Sequence, residues 1–156
     1  MQQTRDIKYQ REDFYKVKRE VDELFYNHWE EIAVNKDKIK LNPDWSFYEA
    51  IYTSGNLGIY TVRDKEKLVG YFIVIAKPHP HYKDHLFAVN DILYLDPNYR
   101  KGLVGYKMIK FVEEDLKKMG VSVLAVNTKV HKPFDPLMER LGFDLTERVY
   151  TKYIGE

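Results

Sequence analysis

One stretch constrains this chain more than any other: residues 90–105, NDILYLDPNYRKGLVG, which precede the helical pattern of residues 106–119. The stretch has the form of a buried strand, a short basic turn and the start of a helix. A helix N-terminus presents unpaired backbone N–H groups and the positive end of the helix dipole, which together favour a phosphate group. Arg100 and Lys101 add positive charge there, and Gly102 and Gly105 allow a ligand to approach closely. The pattern therefore predicts a phosphate-binding turn.

The composition fits one soluble globular domain covering residues 1–156. Lys and Arg number 25 against 24 Asp and Glu, so we expect neither nucleic acid nor an anionic membrane as a partner. The absence of cysteine excludes a disulfide scaffold, thiol catalysis and thiolate metal ligands. Neither a bilayer-spanning apolar run nor a secretory signal is evident, and we expect a cytoplasmic location.

Apolar periodicity predicts the order of helices and strands. Asn42 and Pro43 are typical of the start of a short helix, and Gly142 of the end of one. A polar loop over 77–85 leads to the strand before the phosphate-binding turn. The predicted helices are 12–33, 42–52, 102–119 and 133–141, and the predicted strands are 7–9, 57–62, 68–76, 87–95, 121–126 and 143–154.

The segment from residue 87 to residue 126 predicts a strand–helix–strand crossover, which is right-handed and gives a parallel pair. The earlier strands are expected to pair antiparallel, with a hairpin turn over 63–67. The expected fold is α/β, with a mixed, largely antiparallel sheet that contains one parallel pair and has helices on both faces.

The phosphate-binding turn resembles the acyl-CoA-binding motif of the GNAT superfamily of N-acetyltransferases. In that motif Arg or Gln, two residues, Gly, one residue, and Gly or Ala open a helix after a strand. Arg100 matches the first position and Gly105 the last, whereas Leu103 occupies the middle glycine position and Gly102 lies one position earlier. The likeness runs from about Phe14 to Tyr153. The segments ELFYNHWEEIAVNKDKI and AKPHPHYKDHLFAVNDILYLDPNYRKG look in particular like acetyltransferases of bacteriophages and prophages.

The resemblance implies that acetyl-coenzyme A (acetyl-CoA) binds where the two parallel strands splay apart. Its pyrophosphate would lie mainly on backbone amides of the turn, and its pantetheine arm along the backbone of the preceding strand. The first group comprises Arg100, Lys101, Gly102, Leu103, Val104 and Gly105, and the second comprises Leu93, Tyr94 and Leu95.

Acetyl transfer from a thioester to an amine requires a neutral, well-positioned amine and a stabilised thiolate. Asp91 is the expected general base. Strict alternation places it on one strand face with Val89, Leu93 and Leu95, where burial would raise its pKa. The alternative is a structural carboxylate at the end of the strand that bonds to backbone or to a lysine.

The proton donor to the thiolate is less well defined. The resembling family often has a Tyr on the last short helix, where this chain has Met138, and an Asn before that helix, where it has His131. Histidine is a residue type that can donate a proton near neutral pH, so His131 could serve as the acid, or it is an exposed loop residue. Tyr150 and Tyr106 are further candidates, and solvent could also serve. The predicted catalytic set is Asp91, His131 and Tyr150.

His79, His81 and His85 form a cluster in the polar loop. Because no acidic or cysteine ligand stands nearby at diagnostic spacing, we predict no metal site and assign the loop to the border of the acceptor site. Aromatic residues expected on the acceptor side or in the core are Trp29, Trp45, Tyr48, Tyr52 and Tyr82. Acids that could attract a cationic amine, or form a solvated helix face, are Glu30, Glu31, Asp44 and Glu49.

Together these features predict an acetyl-CoA-dependent N-acetyltransferase that acts directly on an amine of an unidentified acceptor, either a small molecule or a protein. The departures at Leu103 and Met138 leave an alternative, a weakly active or inactive GNAT-fold binding protein. A phage-encoded protein of this kind would act in the host cytoplasm. Members of the family often dimerise, so a homodimer is a further expectation.

Overall fold

A computed structural model describes residues 4–156 as a curled sheet of five strands, in the order β1-β2-β3-β4-β5. Neighbouring strands pair antiparallel except β4 and β5, which pair parallel. This topology confirms the predicted mixed α/β fold. The elements are β1 Ile7–Arg11, α1 Phe14–Ile32, α2 Trp45–Thr53, β2 Leu57–Asp64, β3 Lys67–His79, β4 Tyr82–Leu95, a 3-10 turn Pro97–Tyr99, α3 Val104–Lys118, β5 Val121–Ala125 and α4 Asp135–Arg140.

The sheet buries a hydrophobic core on each face. Helix α1 covers one face through Phe14, Val17, Val21 and Phe25, with α2 beside it. Helix α3 covers the other face, and Met138 of α4 joins that core. Strand β3 lies between the two cores and is buried on both faces over 68–74, as its continuous apolar run predicts. No helix within residues 4–156 has the length and apolar character to span a membrane.

The polar loop predicted over 77–85 is instead a β-hairpin. Strand β3 continues to His79 and β4 begins at Tyr82. The pairing of β2 with β3 ends at Leu57 and Ile75, so β3 is an edge strand on that side from there to His79. Pro78 is tolerated in this part of β3, because an edge strand does not need the N–H that proline lacks.

Two boundaries differ because of local side-chain chemistry. Helix α2 is capped by Asp44, whose carboxylate accepts the Phe47 N–H at 3.0 Å, so the predicted start at Asn42 and Pro43 is wrong. The turn between β2 and β3 is shorter than predicted, and Lys65 adopts a left-handed φ of 55° there in place of a glycine.

The strand predicted over 143–154 does not form. After α4 the chain has no regular structure, and residues 144–156 make no backbone–backbone hydrogen bond to the rest of the described chain. The alternating apolar side chains of this C-terminal segment find no neighbouring strand to cover them. They are largely exposed: Leu145, Val149, Tyr150 and Ile154.

Candidate active site

Strands β4 and β5 part at a fork. They pair from Leu86 and Val121 to Val89 and Ala125, after which β4 continues to Leu95 without β5. The Asn90 side chain closes the fork, because its Oδ1 accepts the Asn127 N–H at 2.8 Å and its amide donates to the Asn127 carbonyl at 3.4 Å. Sequence reasoning missed this clamp, since nothing in the pattern links two asparagines that lie on different segments.

Beyond the fork, β4 presents an open backbone edge. The Asp96 N–H donates to the Val69 carbonyl on β3 at 2.7 Å. By alternation Tyr94 also directs its backbone groups to β3, whereas Leu93 and Leu95 direct theirs to the open edge. The expectation that Tyr94 offers backbone groups to a ligand is therefore wrong. The Leu95 carbonyl already accepts Arg100 Nε at 2.7 Å, which leaves Leu93 as the open position.

The N-terminus of α3 lies just after this edge and carries no side-chain cap. Leu103 occupies the cap position without a side-chain hydrogen bond, and the first helical bond runs from Lys107 N–H to the Leu103 carbonyl at 2.9 Å. The amides of Val104, Gly105 and Tyr106 therefore have no partner within the helix. Gly102 has a left-handed φ of 87°, and a Cβ there would meet no atom within 4 Å. This turn has the free amides and the space that a phosphate needs.

Arg100 is engaged by α1 rather than free for a ligand. Its guanidinium forms two 2.7 Å contacts with the Glu31 carboxylate, one to each oxygen. The bond from Arg100 lowers the pKa of Glu31, and the charge of Lys132 adds to this. Because Glu31 neutralises Arg100, the expected contribution of Arg100 charge to phosphate binding is reduced. Lys101 remains exposed at the turn.

Asp91 lies at a β-bulge just past the fork. Ile73 pairs with Ile92 and Val74 with Asn90, so Asp91 is the extra residue of β4. The bulge aims its carboxylate at α2, where the Tyr48 hydroxyl donates to Asp91 Oδ2 at 2.6 Å. Leu93 packs on the opposite, α3-side core. The predicted shared face of Asp91 with Leu93 and Leu95 is therefore wrong, because a bulge resets the alternation.

The electrostatics of this pair suit a base. Desolvation of the carboxylate raises the pKa of Asp91, although the residue as a whole is exposed, and the bond from Tyr48 opposes the rise. Desolvation, together with the bond and charge of Asp91, raises the pKa of Tyr48, so its hydroxyl stays protonated. The site thus holds a carboxylate with a fixed hydrogen-bond donor. Tyr48 was expected on the acceptor side, but no sequence signal paired it with Asp91.

The side chains that were expected to donate a proton to the thiolate lie apart from the Asp91–Tyr48 pair. His131 is exposed in a tight turn between Lys129 and Lys132, and Tyr150 is 89% exposed in the C-terminal segment. Tyr106 lies in the first turn of α3 beneath the Arg140 guanidinium. Within the described chain, none of these three side chains forms a hydrogen bond with Asp91.

The histidine cluster is held by local contacts. His79 Nδ1 accepts the His81 N–H at 3.0 Å, and His85 Nδ1 lies 2.9 Å from the Ser122 hydroxyl on β5. Across residues 4–156, no group of three or more His, Asp or Glu side chains is arranged to hold a metal ion.

The four carboxylates that could have attracted a cationic amine serve structural roles. Asp44 caps α2 and Glu31 binds Arg100. Glu49 accepts the Tyr15 hydroxyl, and Glu30 pairs with Lys36. Of the predicted aromatic residues, Trp45 stacks on Phe25 in the core under α1.

The sequence profile of the acetyltransferase (GNAT) family matches residues 14–143, so this chain belongs to the GNAT family. No curated protein matches its sequence at a significant level.

Solved structures share the fold at low sequence identity. An aminoglycoside acetyltransferase from an uncultured soil metagenomic sample, in complex with trehalose, has a TM-score of 0.73 at 16% identity, with 96% of each chain covered. Glucosamine-6-phosphate N-acetyltransferase from Arabidopsis thaliana has a TM-score of 0.71 at 16% identity, covering 96% of this chain and 99% of that one. A predicted acetyltransferase with acetyl-CoA from Clostridium acetobutylicum has a TM-score of 0.70 at 12% identity, covering 96% and 97%.

Proposed function

We propose that this protein is an acetyl-CoA-dependent N-acetyltransferase that transfers the acetyl group directly to an amine. The observation that carries the proposal is the fork between β4 and β5. Its open edge leads from the Asp91–Tyr48 pair to the uncapped N-terminus of α3, so one ligand could span the base and the phosphate-binding turn.

Bound acetyl-CoA would supply the activated acetyl group. The amides of Val104, Gly105 and Tyr106 and the space over Gly102 suit its pyrophosphate, with Leu103 contributing backbone only. The edge groups of Leu93 suit the amides of its pantetheine arm. Lys101 adds positive charge at the turn.

The residues of this chain would then prepare the amine. Asp91 accepts a proton from the ammonium form of the acceptor, and Tyr48 holds the carboxylate in place by its hydrogen bond. The leaving thiolate takes a proton from solvent in the simplest scheme, since His131 and Tyr150 lie exposed. Donation by either residue stays a prediction.

The acceptor is an amine of a small molecule or a protein. Two of the structurally similar proteins are an aminoglycoside acetyltransferase and a glucosamine-6-phosphate N-acetyltransferase. Aminoglycosides and glucosamine-6-phosphate are amine-bearing molecules and are the first acceptors to assay. A cytoplasmic location, a homodimer and a phage origin remain predictions from the sequence.

Leu103→Asp tests the phosphate site without endangering the fold. A negative charge near a helix N-terminus interacts favourably with the helix dipole, so this variant should leave stability unchanged or raise it by up to about 1 kcal/mol. Its charge at the same amides should weaken CoA binding about tenfold. Leu103→Asn is the matched control, because asparagine has the shape of aspartate without the charge. Calorimetry with CoA measures the affinities, and equal binding by wild type and Leu103→Asp would contradict the site.

A binding protein without turnover is the second candidate. It is favoured by Met138, which is buried at 8% exposure where the resembling enzymes often have a Tyr. Thiol release from acetyl-CoA over a panel of amines and peptides separates the two functions. Cofactor binding without thiol release would support the second.

A further inference from the structure

The sheet face that carries the Asp91 side chain is only partly covered by helices. Its inner part packs under α1 and α2 through residues such as Ile73 and Ile92. Its outer part, on β4 and β5, belongs to neither hydrophobic core and leaves two valines in contact with solvent. Val89 is 40% exposed and Val123 is 41% exposed. A contiguous apolar surface that a folded chain leaves in water indicates a binding surface.

Strand register joins these side chains into one strip beside the proposed base. Val89 pairs with Ile75 of β3, whose side chain packs against the core under α1 and α2. The Asp91 carboxylate lies on the same side of the sheet, because it binds Tyr48 of α2. Alternate residues of β4 and their register partners on β5 share this face. We call this set the apolar strip: Phe87, Val89, Val123 and Ala125.

The apolar strip runs away from the phosphate-binding turn. At the rise of a β-strand, Val89 lies about 7 Å and Phe87 about 13 Å from Asp91 along β4. Aromatic rings close the far end, since the Phe87 ring lies 4.7 Å from that of His79 and 5.8 Å from that of Tyr82. An amine held at Asp91 can therefore place the rest of its molecule on the strip without meeting the cofactor.

The charges around the apolar strip suit a molecule with one ammonium group. Three strand segments form this part of the sheet, and Asp91 is the only acidic residue in them: 75–79, 87–91 and 121–125. Four carboxylates on or beside α1 and α2 already have partners within the chain: Glu30, Glu31, Asp44 and Glu49. Lys77 is exposed and is the register partner of Phe87, so it would repel a second cation on the strip.

We propose that the acceptor is a small primary monoamine with an apolar body, which lies on the apolar strip while its nitrogen meets Asp91. This inference rests on the proposed function. Contact of the apolar body with Val89 and Val123 removes apolar surface from water and supplies binding free energy. A polycation such as an aminoglycoside would leave its further ammonium groups unpaired beside Lys77.

The reaction of such an amine balances without a further reactant. The alkylammonium gives one proton to Asp91, which passes it to solvent, and the neutral nitrogen attacks the thioester carbonyl carbon. A C–N bond forms as the C–S bond breaks, and the departing thiolate gains, through solvent, the second proton that the nitrogen loses. The products are the N-alkylacetamide, CoA and one proton.

Three amines test the proposal on the wild-type protein with acetyl-CoA: hexylamine, ethylamine and 1,6-diaminohexane. Hexylamine and ethylamine differ only in apolar length, and the diamine replaces the terminal methyl group of hexylamine by an ammonium group. The kcat/KM for hexylamine should exceed that for each of the other two at least tenfold, because the strip accepts methylene groups and rejects charge. An aminoglycoside, glucosamine-6-phosphate and a peptide with an apolar N-terminal residue should also be poorer acceptors than hexylamine.

Val123→Glu places a carboxylate on the apolar strip, and Val130→Glu is the matched control because Val130 is 95% exposed in the turn after β5. Val123→Glu should lower the preference for hexylamine over 1,6-diaminohexane at least tenfold, and Val130→Glu should leave it unchanged. Val123→Thr keeps the shape of valine, so it covers the case in which Val123→Glu does not fold. It should lower kcat/KM for hexylamine about threefold and leave that for ethylamine unchanged.

A binding readout separates this inference from the proposed function. In protein with ¹³C-labelled valine methyl groups and bound CoA, hexylamine should shift the NMR signals of Val89 and Val123 but not that of Val130. Absence of these shifts, or a higher kcat/KM for the diamine, the aminoglycoside, the sugar phosphate or the peptide, would overturn the inference. Shifts that follow protein concentration without amine would also overturn it, because a second copy of the chain would then cover the strip. If no amine is acetylated, the proposed function fails, and the NMR titration alone decides whether the strip binds the monoamine.

Discussion

At the scale of single residues, the site depends on a carboxylate that a β-bulge directs away from its own strand. Asp91 would share a face with Leu93 if β4 were regular, and the bulge instead brings it to Tyr48. The sequence singles out Asp91 as a carboxylate within an apolar strand. Its partner Tyr48 could not be predicted, because the contact depends on how α2 docks on the sheet.

Asp91→Asn should separate activity from stability. We expect kcat to fall by about 10²–10⁴-fold, the range for loss of a general base. Because the folded-state pKa of Asp91 is raised, its ionisation costs stability, and this cost appears as pH rises through the window between the ordinary and the folded pKa. Asparagine has the same shape and no charge, so the free energy of unfolding of Asp91→Asn at pH 7 should be no lower than that of wild type.

Steady-state kinetics and urea unfolding at pH 7 measure the two effects. The acid limb of kcat/KM in wild type should also lie above the ordinary range for aspartate, because desolvation raises the pKa of this carboxyl. Full activity in Asp91→Asn would rule out its role as the base.

At the scale of secondary-structure elements, two polar links fix the elements that border the site. The Asn90–Asn127 clamp fixes the point where β4 and β5 part, and the Arg100–Glu31 pair ties the end of β4 to α1. Each link can be tested by a variant that removes one partner.

Asn90→Ala should destabilise the protein by about 1 kcal/mol, because the Asn127 N–H loses its acceptor. It should also weaken CoA binding, since the two strands are then held together less firmly at the fork. Asn127→Ala is the control, because it keeps the backbone N–H that Asn90 accepts. Urea unfolding and CoA calorimetry measure the two effects. Equal stability and equal CoA affinity of the two variants would contradict this role of Asn90.

Glu31→Gln should reduce stability by about 1 kcal/mol at neutral pH, a modest effect because solvent partly screens the pair. The pKa of Glu31 is lowered in the folded state, so its contribution is present above the ordinary glutamate pKa and is lost as pH falls through the folded value. The difference between wild type and variant should therefore shrink in acid. Urea unfolding between about pH 3 and pH 7 measures it, and a constant difference would contradict the assignment.

At the scale of the whole molecule, the sequence predicted what depends on periodicity and on local backbone chemistry. The buried positions of α3, the doubly buried β3, and the strand, turn and helix around Gly102 follow from spacing and glycine alone. The Tyr48–Asp91 pair and the Asn90–Asn127 clamp join residues 43 and 37 positions apart. Such contacts depend on a bulge and on helix docking, neither of which leaves a periodic signal.

The C-terminal segment shows the opposite kind of error. Its sequence has the alternation of a strand, but no neighbouring strand within residues 4–156 pairs with it. Residues 144–156 contribute no backbone–backbone bonds to the described chain and expose their apolar side chains, so they should add little to stability. Deletion of residues 145–156 should change the free energy of unfolding by no more than about 0.5 kcal/mol.

Met138→Ala provides the contrast for that deletion, since loss of a buried side chain on α4 should cost about 2–5 kcal/mol. Hydrogen exchange adds a direct measure, because backbone amides of 144–156 that bond only to water should exchange within seconds. Slow exchange that appears only at high protein concentration would mean that the segment pairs with a second copy of the chain. Its unpaired backbone would then be the interface of the predicted homodimer, and the deletion would yield a monomer of unchanged fold.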